Sequence, residues 1–219
     1  MPKTESIKKR RIRVLSIISR LDELYDEAAC TLDCDDPLQL LVSTQLAAQC
    51  TDERVNQVTR SLFEKYRDAN DYARADMAEF ENEIRSTGFF HNKAKNIISC
   101  CRMLVAEYGG EVPRTLDELL KLPGVGRKTA NLVLGDAFGV PGIVVDTHAG
   151  RLARRMGLSV HMDPEKVEYD LMQVVPKDSW IRFCHQLVLH GRAVCASRKA
   201  RCEECALFGD CPKIIANPK

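Results

Sequence analysis

Apolar residues recur at helical spacing along almost the whole chain, and nowhere do they alternate over the length of a strand. Ile7, Val14, Ile17, Ile18, Leu21 and Leu24 mark an amphipathic helix over 6–29, whose start is strongly basic in Lys3, Lys8, Lys9, Arg10, Arg11 and Arg13. Such a start suits a solvated helix face or a phosphate-facing arm. Pro37 is placed to open a second helix through Leu38, Leu41, Val42 and Leu46; Thr51 and Asp52 interrupt it before a third through Val55, Val58, Leu62 and Phe63. The pattern continues over 75–84, 92–108, 116–120, 127–138, 147–157, 164–174 and 178–190, with Gly88 and Gly109-Gly110 as stops. The β-branched run Ile143–Val145 is only three residues long. An all-α fold is expected, and no internal repeat is visible.

With 219 residues the chain suits one large domain or two small ones. Its net charge is only +1, so any affinity for a polyanion must come from local patches. The run Val14–Ile18 is too short for a signal sequence, and no stretch approaches the ~18 apolar residues of a membrane span. A cytosolic chain without membrane partners is expected, acting as a monomer. Its ten cysteines should then be reduced or metal-bound.

Four of these, Cys195, Cys202, Cys205 and Cys211, follow the spacing C-x6-C-x2-C-x5-C. Four thiolates that close in sequence can hold a [4Fe–4S] cluster or a tetrahedral zinc. Structural zinc usually takes two C-x2-C knuckles and the chain offers one, which favours the cluster. Cys30, Cys34, Cys50, Cys100, Cys101 and Cys184 lack ligand spacing and suit core or surface positions. Arg198, Lys199 and Arg201 lie between the first two ligands, where a rigid loop would turn three cations toward phosphate or simply toward water.

KLPGVGRKTAN, residues 121–131, places Lys128 behind a proline and two glycines. The phosphate-binding Walker pattern fails, because Arg127 and Leu122 stand where it requires glycines. Leu116–Leu120, the turn and Arg127–Phe138 read instead as a helix-hairpin-helix. In that arrangement Leu122, Gly124, Val125, Gly126 and Arg127 meet the DNA backbone without reading sequence, using amides at a helix N-terminus. From the hairpin alone Lys128 is equally a phosphate contact or something more. VDTH, residues 145–148, adds a carboxylate. The helix carries the chain ~17 Å away and the eight residues 139–146 reach up to ~26 Å, enough to return Asp146 to Lys128. Asp146 also stands where a helix begins, so it is a candidate N-cap. A lysine at a helix N-terminus, partly desolvated and near cations, should have a lowered pKa and a usable neutral amine. Amine, carboxylate and DNA-gripping hairpin together point to glycosidic bond cleavage on DNA.

LPGVGRKTAN, VDTH and the four-cysteine spacing, in that order, resemble the endonuclease III family of DNA glycosylases with AP-lyase activity. The resemblance runs from about residue 10 to 212. It implies a six-helix domain over 30–140, with the hairpin at about 116–138, and a second domain of 1–29 plus 141–219. It also implies Lys128 as nucleophile, Asp146 as essential carboxylate and a [4Fe–4S] cluster on Cys195, Cys202, Cys205 and Cys211. Damaged, by family expectation oxidised, pyrimidines or abasic sites in double-stranded DNA would be the substrate, and a bacterial protein would be nucleoid-associated. Base flipping leaves a hole in the stack; Gln49 matches the family's wedge, with Gln45 one turn earlier as support. Phe89 falls where the family places an apolar wedge, usually leucine; it could stack on an estranged base or pack inside. His148, Arg151 and Arg155 share a helical face and read as a phosphate-facing set. Adenine-specific relatives carry a glutamate where this chain has Thr44, and thymine-mismatch relatives carry tyrosine at the Lys128 position. A non-enzymatic DNA-junction module would explain the hairpin, but neither VDTH nor the cysteines.

Overall fold

The structure, a computed structural model, describes residues 5–214, so Lys3 lies outside the described residues. All regular elements among the described residues are helical: α1 (Ile7–Leu24), α2 (Pro37–Leu46), α3 (Asp52–Lys65), α4 (Ala69–Arg74), α5 (Met77–Glu83), α6 (Phe90–Tyr108), α7 (Leu116–Leu119), α8 (Arg127–Phe138), α9 (Thr147–Arg155), α10 (Pro164–Val174) and α11 (Trp180–Ala193). No helix among the described residues is long and apolar enough to cross a membrane. The chain divides into two compact units, one formed by Thr31–Val140 and the other by the chain up to Cys30 with Pro141 onward.

Helix starts follow local chemistry. Asp36, Thr51, Asp68, Asp76, Thr115, Asp146 and Asp163 each accept a hydrogen bond from a backbone N–H two or three residues on. Each such cap contributes about 1 kcal/mol. In the 31–140 unit α6 is the spine, burying Ile97, Ile98, Cys100, Cys101 and Leu104. α4 and α5 pack on it, and α2 packs on α3, α6 and α8. Tyr66 and Tyr72 stack at 4.8 Å, with the Phe80 ring edge-on to both. In the other unit Val14, Ile17 and Leu21 of α1 share a core with Leu152, Val167, Leu171, Phe183 and Leu187.

The differences from the sequence expectation have physical causes. The first helix stops at Leu24 rather than 29: the Tyr25 N–H closes it on Leu21 O, and the phenol meets His190 Nδ1 at 3.1 Å. The basic start of α1 is partly engaged inside its own unit. Arg13 donates to Met156 O, Asp210 O and Glu5, and Arg11 to Gln173 O. In the 31–140 unit one α-helix falls outside the segments marked by apolar spacing. That helix, α4, has six residues, too few to display a period; Asp68 caps it and Tyr72 buries against the core.

Candidate functional site

The hairpin grows from α7 and α8. Leu122 N–H closes on Leu119 O and Val125 N–H on Leu122 O, so the chain reverses between the helices. Gly124 has φ +75°, and a Cβ there would stand 2.6 Å from Gln45 Oε1 and 2.8 Å from Asn96 Cβ. Glycine is thus required twice over, for its backbone conformation and for its clearance. Gly124→Ala is expected to cost about 1–3 kcal/mol of stability, read as a lowered denaturation midpoint, with weakened DNA affinity. An unchanged midpoint would mean the turn relaxes freely.

Gly126, in extended conformation, precedes α8 and has no side chain to cap it, so the helix opens with Ala130 N–H on Gly126 O. The first amides of α8 remain suited to an anion. The Leu122 and Val125 side chains are buried, at 3% and 7% exposure, because they close the hairpin onto its own core, so any DNA contact at these two residues is left to their backbone. Gly124 and Gly126 form the exposed surface of the turn, and Arg127 is half-buried. Lys128, in the first turn of α8, is exposed, so the protein does not supply the expected desolvation.

Beside the hairpin lies a cleft of ≈ 270 Å³ whose wall includes Gly124, Thr129, Thr44, Asn96, Gln49 and Phe89. Gln49 and Phe89 both take left-handed backbone conformations, φ 55° and 49°, and both are exposed, Phe89 at 62%. Phe89 is therefore not a core residue. Gln45 is buried against Gly124 and lines the same cleft as Gln49.

In the second unit Asp146 is half-buried and caps α9, its Oδ1 accepting the Ala149 N–H at 2.7 Å. Burial pushes the His148 imidazole below the usual histidine range, opposed by Asp146 and reinforced by Arg151 and Arg192. Arg151 and Arg155, half-buried, make hydrogen bonds within their own unit. Arg151 donates to Gly191 O and Cys195 O, and Arg155 to Cys195 O, Ala196 O and Ser197 O. Their guanidinium groups clamp the start of the cysteine loop onto α9, because that loop's carbonyls have no helix to satisfy them. Arg201 likewise turns back to Ala193 O and Glu204, while Arg198 and Lys199 are exposed. Gly191 escaped the sequence reading: a Cβ on it would lie 2.6 Å from His148 Nδ1, so only glycine lets α11 approach α9 there. The helical spacing marked 178–190 stops one residue short of it, whereas α11 runs on to Ala193.

Cys195, Cys202, Cys205 and Cys211 line one cavity of ≈ 30 Å³, with Val194, Leu207 and Phe208 among its walls. Arg155 Nη1 lies 3.3 Å from Cys195 Sγ, His190 Nε2 lies 3.4 Å from Cys205 Sγ, and the Lys213 N–H donates to Cys211 Sγ. Among the described residues no set of three or more Cys, His, Asp or Glu side chains is gathered around a single-ion position. Cys100, Cys101 and Cys184 are buried, and Cys30, Cys34 and Cys50 half-buried.

Comparison with known proteins matches residues 42–177 to the HhH-GPD superfamily of base excision DNA repair proteins. The endonuclease III of Synechocystis sp. is 52% identical over 209 residues, 95% of this chain and 95% of that protein. That of Escherichia coli K12 is 39% identical over 197 residues, 90% of this chain and 93% of that protein. A solved structure of a trapped endonuclease III–DNA covalent intermediate, in an estranged-adenine complex, superposes with a TM-score of 0.88 at 43% identity, covering 93% of this chain and 96% of that one.

Proposed function

The chain belongs to the endonuclease III family of the HhH-GPD superfamily, and on that premise we propose that the Lys128 amine is the nucleophile and the Asp146 carboxylate its electrostatic partner. The enzyme is a base excision repair DNA glycosylase with AP-lyase activity, and its substrate is double-stranded DNA holding damaged bases or abasic sites. The observation that carries the residue assignment is an exposed lysine in the first turn of α8, next to a glycine turn whose helix amides await an anion.

The hairpin amides, with Arg198 and Lys199 on the cysteine loop, hold phosphates. Gln49 and Phe89 fill the space left by the extruded nucleotide. The docked strand removes water from Lys128, which the fold leaves exposed. Neutral Nζ attacks the sugar C1′; the glycosidic bond breaks and the base departs with the electron pair, taking a proton. Nζ and C1′ are then joined by a single bond; the ring bond C1′–O4′ breaks, its electron pair going to O4′, which takes a proton, and the nitrogen lone pair closes the iminium. Loss of the C2′ proton expels the 3′ phosphate from C3′, and water attacking C1′ restores the amine. Asp146 stabilises the positive charge developing on the sugar ring. Its Oδ1 is fixed by the Ala149 N–H, so the carboxylate is oriented before substrate arrives. Oxidised pyrimidines are the proposed lesions; a panel of duplexes with single damaged bases checks this, and preference for an alkylated purine would overturn it. An adenine-specific activity is disfavoured, since Thr44 stands at the glutamate position and turns its hydroxyl onto Leu41 O.

Endonuclease III proteins are generally associated with iron–sulfur clusters, and we read Cys195, Cys202, Cys205 and Cys211 as the residues that would hold a [4Fe–4S] cluster here. The donor set fits: four thiols face one cavity with apolar walls, and Arg155, His190 and the Lys213 amide are positioned to donate to the sulfurs. Bound, such a cluster supplies a redox-capable cross-link of the loop that carries Arg198 and Lys199. Cys202→Ser is expected to lower bound iron and the visible charge-transfer absorbance together; zinc without iron in the purified wild-type protein would replace the cluster by a single ion.

On this reading 30–140 is the domain that grips DNA, and 1–29 with 141–219 the domain that carries Asp146 and the cysteine loop.

A further inference from the structure

Lys93, on the first turn of α6, is only 6% exposed. Its ammonium donates to Leu46 O at 2.7 Å and to Thr87 O at 2.8 Å. Among the described residues no carboxylate lies within ion-pair distance of it. Burying a cation without a counter-ion is costly, and a leucine or methionine would avoid that cost. Burial lowers the Lys93 pKa, with Cys50 opposing. The acceptors indicate what the cation does. Leu46 ends α2, three residues before Gln49, and Thr87 lies two residues before Phe89. Gln49 and Phe89 both sit in the left-handed region, which non-glycine residues rarely occupy unless the surroundings impose it. Both line the cleft that Lys93 also lines. One ammonium therefore bridges the two turns whose strained residues present the two exposed side chains.

We propose that Lys93 is a positioning residue, whose ammonium ties the turn carrying Gln49 to the turn carrying Phe89 so that the two side chains enter the base stack as a pair. The inference rests on the wedge reading above and adds to it the device that holds the pair together. It needs no contact between Lys93 and DNA.

A mutant cycle tests it on single-turnover excision of a damaged base from duplex DNA. Lys93→Met is expected to slow excision about tenfold in the otherwise unaltered enzyme. In the Gln49→Ala/Phe89→Ala background the same substitution should slow it less than about twofold, because the residues it acts through are gone. With enzyme saturating, fluorescence of 2-aminopurine opposite the lesion should rise for the wild type and stay low for Lys93→Met. That signal reports unstacking and would not follow a general loss of stability. Equal slowing in both backgrounds, or no slowing in either, overturns the proposal. If Gln49→Ala/Phe89→Ala itself leaves excision unchanged, the wedge reading fails instead. Should Lys93→Met not fold, Lys93→Gln, which keeps one donor pair, goes through the same cycle with the same two deciding outcomes.

Discussion

Lys128→Ala should abolish the borohydride-trapped adduct on abasic DNA and lower lyase turnover by at least ~10³-fold. The substitution is a clean one. Lys128 is exposed in the first turn of α8, and alanine is a good helix former, so stability should change by less than about 0.5 kcal/mol. DNA affinity should fall only about threefold, as for the loss of one phosphate-neutralising cation, with the salt slope reduced by about 1. A binding module that used Lys128 only to neutralise phosphate would lose that same affinity, but would form no adduct even as the wild type. Trapping therefore separates the two classes of function, and unchanged turnover in the alanine variant would remove Lys128 from the chemistry.

The second large effect belongs to Asp146, where two roles share one carboxylate. It caps α9 through the Ala149 N–H, and it is the proposed charge partner of the reacting sugar. Asparagine retains the capping oxygen and loses the charge. Asp146→Asn is therefore expected to slow base release about 10²–10³-fold while moving stability by less than about 0.5 kcal/mol. Asp146→Ala should be as slow and, in addition, about 1 kcal/mol less stable. Single-turnover excision and denaturant unfolding of the same preparations check both. Base release unaffected in the asparagine variant would leave Asp146 as a cap alone.

The parts of this protein that were legible in its sequence are those whose physics is local. The hairpin is one: Gly124 and Gly126 punctuate a short helix pair, and α8 spans the residues its apolar spacing marks, 127–138. The cap at Asp146 is another, since the side-chain acceptor and the amide it serves lie within three residues. The cysteine spacing is a third. Each involves groups the chain brings together before it folds.

What tertiary structure decided involves partners remote in sequence. Helical spacing placed Arg151 and Arg155 on one face but could not say what that face meets. The answer includes carbonyls of residues 191–197, some 40 positions away, which the two guanidinium groups clamp. Phe89 was undecided between wedge and core because a left-handed turn, rather than apolarity, sets its exposure. Lys93 was invisible for a stricter reason. Its partners are the backbone carbonyls of Leu46 and Thr87, and every residue carries a carbonyl, so no side chain in the sequence could announce that a buried ammonium would find two of them. Composition and spacing determine which elements form and which chemistry they can carry; only the folded chain selects which identical backbone groups come within reach of a single charge.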